Sequence, residues 1–426
     1  MIMKTVIRPE TEMKDSGLQW LGEIPNDWKV SRVGNFFSFS SGDSLTNEEI
    51  RDEGMYLVYG ANGIRGYYSK YNLDEKRILL GRVGALAGNV HIIDGKVWVT
   101  EHALIASNKL DLVEEYYGYV FESMNLIQYS KSSAQPVISG DTLQKLRFPV
   151  PKLSEQQSIA DYLDETCSKI DEIIAEAKAS IDEYKELKQS VIFEAVTKGL
   201  DKNVEMKDSC VEWIGEIPSS WQLRKLKTFT VMISKGTTPK DMSNVKTTLY
   251  CVRYLKSENI KNNHLDIVPE FYITEETHNE LSRSKLNGND ILFVIAGASI
   301  GKVAIMDENL LPANTNQANA FIRIKDEFMD SIEYLWMLLQ SVIVKEVINR
   351  YSVQSAQPNI SMENIGNIKL PYPLLKRERD NIMNYLREKV DAIDSLIAEK
   401  ESLINDLEAY KKSLIYEVVT GKRRVV

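Results

Sequence analysis

Residues 13–28 read MKDSGLQWLGEIPNDW, and residues 206–221 read MKDSCVEWIGEIPSSW. At an offset of 193, Trp20, Gly22, Glu23, Ile24, Pro25 and Trp28 recur as Trp213, Gly215, Glu216, Ile217, Pro218 and Trp221. An internal repeat sets the architecture before any local pattern does. Working outward, Gly84 and Gly88 recur as Gly297 and Gly301 at an offset of 213. Ser133-Ala134-Gln135-Pro136 recurs as Ser355-Ala356-Gln357-Pro358 at 222, and Ile170-Asp171 as Ile393-Asp394 at 223. The frames of the two copies therefore match, while their middles differ in length and sequence. A two-headed binder with two different targets would diverge in this way. Drift in tolerant surface loops is the alternative reading.

Pro149 and Pro151 in the first copy, and Pro371 and Pro373 in the second, end each globular part. Ser154-Glu155-Gln156-Gln157 then has the spacing of a capping box that opens a helix, and neither Gly nor Pro follows until Gly199. Leu163, Cys167, Ile170, Ile174, Ala177, Ile181, Tyr184, Lys188, Val191 and Ala195 step alternately by 4 and 3. The second copy repeats the pattern in Leu386, Val390, Ile393, Ile397, Lys400, Ile404, Leu407, Lys411, Leu414 and Val418. Such heptad spacing puts one stripe of each helix against a partner, over roughly 50 Å at 1.5 Å per residue. Two matched stripes in one chain predict an internal, antiparallel coiled coil that holds the globular parts apart; a coiled coil between two copies of the chain is the alternative. Lys188 and Lys411 interrupt the stripe at matched positions, which suggests that the pairing changes partner there. Leu187, Ile192, Tyr410 and Ile415 lie off the stripe and are candidates to meet another protein.

The expected organisation is thus a globular domain over 1–150, a helical spacer over 151–205, a second domain over 206–373 and a second spacer over 374–426. Strands are expected at 77–80, 89–93 and 97–100 in the first domain and at 291–295, 303–306 and 320–324 in the second. A helix is expected over 331–350. The fold class that follows is α+β.

Composition narrows the function. The 426 residues carry 52 basic and 61 acidic side chains, a net charge of −9, with 43% hydrophobic residues. These are the proportions of an ordinary soluble protein rather than a disordered one. Cys167, Cys210 and Cys251 are far apart and form no CxxC, which supports neither a disulfide framework nor a zinc site. The longest apolar run, residues 291–301, is about half a membrane span, and the first residues lack a signal-peptide pattern. A cytoplasmic protein with no membrane association is expected. The segment from Gly297 to Lys302 resembles a phosphate loop, but it has three residues between its glycines instead of four, and Val303 stands where Ser or Thr would hold magnesium. A tight turn is the better reading. His91, His102, His264 and His278 make no metal motif. The two Glu-x-Lys spacings, at 176–178 and 186–188, sit on the helix, where neighbours two apart face different directions. No catalytic, cofactor or metal residue is expected.

The negative charge is uneven. Residues 151–200 hold six bases against eleven acids, whereas residues 224–261 hold nine bases against Asp241 and Glu258. These bases are Arg224, Lys225, Lys227, Lys235, Lys240, Lys246, Arg253, Lys256 and Lys261. A cluster of this kind neutralises phosphates, unless it is simply a solvated charged face. In the first domain the basic stretch from Arg65 to Arg82 overlaps YGANGIRGYY at 59–68. Glycine there permits close backbone approach, and Asn and Arg read adenine and guanine edges bidentately. A hairpin turn at Asn62-Gly63 is the structural reading of the same residues.

The order of globular part, long helix, globular part, long helix, taken with the repeated WxGEIPxxW, YGANGIRGYY and ILLGRVGALAGNV, resembles the specificity subunit of type I restriction–modification systems. SKGTTPK, GNDILFVIAGASIGKVAI and NTNQANAFIRI add to the likeness, which covers nearly the whole chain. The resemblance implies a non-catalytic subunit whose two target-recognition domains each read half of a bipartite site in double-stranded DNA. The helices would serve as the ruler between the halves. It also implies docking of two adenine methyltransferase subunits, which carry S-adenosylmethionine, and assembly with translocating nuclease subunits. A two-headed scaffold that binds proteins is the alternative. The candidate DNA contacts are Tyr59, Asn62, Arg65, Tyr67, Lys70 and Arg82 in the first domain. In the second they are Lys235, Thr237, Thr238, Lys240, Arg253 and Lys256. The expected spacer contacts are Leu163, Ile170, Ile174, Ile181 and Val191 against Leu386, Ile393, Ile397, Ile404 and Leu414.

Overall fold

The computed structural model describes residues 4–130, 136–240, 252–352 and 359–426. Apart from Pro136, the two Ser-Ala-Gln-Pro segments lie outside these residues, as do Lys246 and Cys251. The chain forms two units, Met1–Ala179 with Lys400–Val426, and Ser180–Glu399. Chain order and unit do not coincide, because each long helix is shared: Leu153–Lys198 and Lys376–Val419 each contribute their first part to one unit and their second part to the other.

Both units are α+β, and their sheets have the same order. In the first, Val90–Ile93, Arg77–Gly81, Ala103–Asn108 and Phe37–Ser41 form an antiparallel sheet. In the second, Val303–Ile305, Ile291–Val294, Asn319–Ile324 and Thr230–Lys235 follow the same order. Each unit also contains a parallel pair of strands, Tyr56–Gly60 with Lys96–Val99, and Val252–Leu255 with Ala313–Thr315. Alternation along these strands sends one face into a core. Ile78, Leu80, Leu104 and Phe37 pack under the helix Glu114–Ser123, and Ile291, Phe293, Ala320 and Ile322 pack under Ile332–Leu339. The expected helix over 331–350 is broken into Ile332–Leu339 and Val342–Ser352. Ser341 ends the first piece, since its hydroxyl and its amide both donate to the Leu338 carbonyl.

The long helices run antiparallel within each unit. Lys411, late in its helix, reaches Asp171, early in the other, at 2.7 Å; in the second unit Lys188 reaches Asp394 at 2.6 Å. The seam therefore does not change partner at these lysines. Each ammonium leaves the apolar stripe sideways for a carboxylate on the facing helix, and its stem stays between the helices. Leu163, Ile170, Ile174, Ile181, Leu386, Ile393 and Leu414 are buried, while Val191, Ile397 and Ile404 are half-buried. Leu187 and Tyr410 are exposed, but Ile192 and Ile415 are buried in the cores of their own units, so these two are not free for another protein.

The capping box does not form. The helix begins at Leu153, where the Lys152 carbonyl accepts the amides of Glu155 and Gln156 and Ser154 is already inside the first turn. The side chains of this segment fasten the globular part instead. Glu155 Oε2 accepts from the Trp28 indole at 2.9 Å, and Glu378 Oε1 accepts from Trp221 at 2.8 Å. The same tryptophans reach the other helix. A Cβ on Gly421 would stand 3.0 Å from the ring of Trp28, and one on Gly199 would stand 3.2 Å from that of Trp221. Both glycines have positive φ, +76° and +73°, and both follow a helix end, where a left-handed residue terminates the turn. Each repeated tryptophan thus joins the start of one long helix to the end of the other. Buried tyrosines tie the same ends, Tyr116 donating to the Val419 carbonyl and Tyr334 to that of Val196.

Candidate nucleic-acid interface

Five matched backbone hydrogen bonds gather the loops at one end of each globular part. In the first unit Asp43 donates to Val99, Thr100 to Tyr59, Gly42 and Thr100 bracket Ala103, and Arg82 donates to His102. In the second unit Thr237 donates to Thr315, Asn316 to Leu255, Gly236 and Asn316 bracket Asn319, and Ile295 donates to Ala318. The result in both is a four-residue bend, 100–103 or 316–319, held by the residues that follow Phe37–Ser41 and Arg77–Gly81 in the first unit and Thr230–Lys235 and Ile291–Val294 in the second. Gly42 and Gly236 are required by this closeness, because a Cβ on either would collide with the carbonyl oxygens of Val99 or Thr315.

The sequence candidates divide around this end. In the first unit the hairpin Tyr56–Gly60 and Gly63–Tyr68 turns through Ala61 and Asn62, one residue earlier than expected. Gly60 pairs with Gly63, whose φ of +92° starts the returning strand, and this sets the turn. Asn62 is exposed and accepts from Asn89 at 3.3 Å, which joins the hairpin tip to the glycine turn at 84–88. Arg65 is exposed and donates to Asn47 at 2.6 Å, and Arg82 donates to Ser41 at 2.8 Å. Tyr59 is half-buried beside His91, and burial pushes its phenol above the usual range and the imidazole below its own. Tyr67 and Lys70 are not brought to the hairpin tip; Tyr67 pairs with Leu57 and exchanges backbone bonds with Arg51.

In the second unit Lys235 and Lys240 are exposed, and Thr237 lies between them, its carbonyl accepting from the Tyr254 hydroxyl at 3.0 Å. Thr238 is half-buried beside the same tyrosine. Arg253 and Lys256 are engaged elsewhere. The Arg253 guanidinium lies 5.2 Å from the ring centre of Tyr272, and the Lys256 ammonium lies 3.4 Å from that of Phe271 and 3.7 Å from Glu258. Among the described residues, Arg65, Arg82, Lys235 and Lys240 have no carboxylate within ion-pair distance, unlike the helix lysines 169, 185, 188 and 411. An uncompensated cation at a loop end suits an anionic partner. The bends themselves were not legible beforehand, since no residue type in 100–103 or 316–319 stands out. Their matched offset of 216 emerges only from the backbone bonds.

Gly297–Gly301 forms a turn between strands, with φ of +86° and +87° at its two glycines. Among the described residues no group of His, Cys, Asp and Glu could hold a metal ion, and no helix is long and apolar enough to cross a membrane.

Residues 25–183 and 218–408 match the family model described as type I restriction modification DNA specificity domain. The type I restriction enzyme MjaVIII specificity subunit of Methanocaldococcus jannaschii is 26% identical over 400 residues, which cover 87% of this chain and 90% of that one. The EcoBI specificity subunit of Escherichia coli is 24% identical over 409 residues, covering 87% and 81%. The EcoprrI specificity subunit of the same species is 35% identical over 140 residues, covering 32% and 35%. A solved structure from work on complex assembly and conformational transition of the type I R-M system shares the fold, with a TM-score of 0.65, 11% identity and coverage of 94% and 99%.

Proposed function

The chain belongs to the type I restriction modification DNA specificity family, and from that premise we propose how its residues divide the work. It is a DNA-recognition subunit, not itself a catalyst, and acts with methyltransferase and restriction subunits. Residues 1–150 and 206–373 are the two target-recognition domains, each reading one half of a bipartite site. Residues 151–205 and 374–426 are the spacers that set the unread gap. Two adenine methyltransferase subunits, bringing S-adenosylmethionine, dock on the helices, and translocating nuclease subunits join that complex. The chain works in the cytoplasm.

One observation carries this reading: at matched backbone positions the two units present different polar side chains. Ser41, Asp43 and Ser44 in one stand where Lys235, Thr237 and Thr238 stand in the other, on the same hydrogen-bonded frame. A shared frame with unlike side chains suits two unlike targets. The DNA-facing candidates are Asn62, Arg65, Lys235, Thr237 and Lys240, which are exposed, with the half-buried Arg82 and Thr238 beside them; the four cations among these have no carboxylate partner among the described residues. Tyr59 supports the hairpin from beneath. Tyr67, Lys70, Arg253 and Lys256 are the weaker candidates, because their geometry points to roles in the sheet edges and loops. Several base contacts per unit, each contributing roughly 1–3 kcal/mol of discrimination, specify a rare site.

The test is an exchange. Residues 30–145 are replaced by those of another family member, and adenine methylation is mapped in cells that also carry the partner subunits. One half-site should change while the other half and the gap stay fixed. A change in gap length alone would contradict the domain assignment.

A further inference from the structure

Neither bend contributed a residue to the sequence candidates, yet the bends are the most tightly framed part of each loop end. The amide and carbonyl of the first bend residue, the carbonyl of the third and the carbonyl of the fourth are held by these bonds, which fixes the path of the chain on either side of the second residue. At the second bend position the first unit carries Glu101 and the second carries Gln317. Gln317 is exposed and has no hydrogen-bond partner among the described residues. The Glu101 side chain is 36% exposed; its Oε1 accepts from Ser44 at 3.2 Å and lies 3.8 Å from His102, while its Oε2 is buried and has no donor among the described residues, so Oε1 is the oxygen left for a base.

We propose that these bends carry base-reading side chains, Gln317 in the second unit and Glu101 in the first. The proposal rests on the reading of the chain as a DNA-specificity subunit and assigns it a chemistry. A glutamine amide donates from Nε2 and accepts on Oε1, the complement of the N7 acceptor and N6 amino donor of adenine in the major groove. An ionised glutamate only accepts, and therefore suits the N4 amino group of cytosine. Rigidity makes the position suitable for readout. On a bend braced by five backbone bonds the backbone is already ordered, so only the side chain loses conformational freedom when it meets a base edge. Lys235 and Lys240, both close in sequence to the Gly236 brace, lie where they can hold the phosphates while the amide reads the base.

The test uses the full complex with its methyltransferase subunits and maps adenine methylation genome-wide. Gln317→Glu should change one base pair of one half-site, from adenine toward cytosine, with discrimination at that pair altered roughly 5- to 150-fold. Gln317→Ala, which adds no charge, should relax the same pair and serves where Gln317→Glu fails to assemble. Glu101→Gln should act on the other half-site alone. An unchanged motif in the assembled Gln317 variants overturns the proposal and leaves the specificity reading standing. A uniform loss of methylation with the same motif also overturns it, because that is the signature of a phosphate contact or a fold defect. If the unaltered complex methylates no two-part motif, the specificity reading itself fails.

Discussion

Unit 1 and unit 2 agree where their contacts are buried and differ where their loops meet solvent. Both use a tryptophan to join two helix ends, a tyrosine hydroxyl to hold a helix carbonyl and a lysine–aspartate pair to cross the seam. Their chemistry nevertheless diverges at single positions. Gln156 ties the segment that ends at Pro151 to the helix by accepting from Val113 and donating to Pro151. Its counterpart Arg379 fastens the matching segment by donation alone, to the Pro373 and Leu374 carbonyls and to the Asp330 carboxylate. Glu155 serves both Trp28 and the buried guanidinium of Arg8, whereas among the described residues Glu378 accepts from the Trp221 side chain alone. The lesson is that the repeat preserves the joint rather than the residue type: a glutamine and an arginine fasten matching segments through different hydrogen bonds.

That asymmetry makes the largest prediction. Glu155→Gln leaves the Arg8 side chain, 5% exposed, without its charged partner at 2.5 Å and with only Glu12 at 3.8 Å. The expected loss is roughly 3 kcal/mol, the scale of breaking a buried pair. Glu378→Gln keeps an acceptor for Trp221 and should lose about 1 kcal/mol. Chemical denaturation read with hydrogen exchange in each unit measures both, and equal losses would break the comparison at its base.

The crossed lysines should behave alike and weakly. Lys188→Met and Lys411→Met each remove a partly exposed pair and should change stability by about 0.2–1 kcal/mol. The double exchange Lys188→Asp with Asp394→Lys should recover the loss of the single Lys188→Asp change. If one lysine costs several times more than the other, the two crossings are not equivalent.

The smallest effect concerns thiols at positions where the copies differ. Burial pushes the Cys167 thiol up to about 11, while Cys210 is exposed. Because the thiolate is the reactive form, iodoacetamide at pH 8 should label Cys210 and spare Cys167, whose labelling rises only as pH approaches 11. Equal labelling at pH 8, followed by peptide mass spectrometry, would show that the first helix is less closely packed than its counterpart at Val390.

Much was legible from residues alone because it depends on period. The repeated tryptophans and the heptads set two matched copies, two long helices and the α+β class. Strands such as Arg77–Gly81 and Ile291–Val294 follow from short apolar runs. What failed to show depended on distant partners. Ser154-Glu155-Gln156-Gln157 has the spacing of a cap, but Glu155 and Gln156 are drawn to Trp28 and Val113, and no local rule contains those residues. Lys188 and Lys411 read as breaks in a seam because the heptad does not show an aspartate across it. The candidate contacts suffered similarly. Arg253 and Lys256 counted as free charge until Tyr272 and Phe271 were seen beside them.

The sequence by itself determined that this protein is built twice, with two long helices and no recognisable catalytic motif, because repeat and heptad are properties of order along the chain. Only the tertiary structure decided which helix ends meet in each unit, which cations are left without carboxylates and that the bends 100–103 and 316–319 are counterparts. Those facts rest on hydrogen bonds and packing between residues tens to hundreds of positions apart. Such contacts obey distance in space, and the chain records only distance along itself.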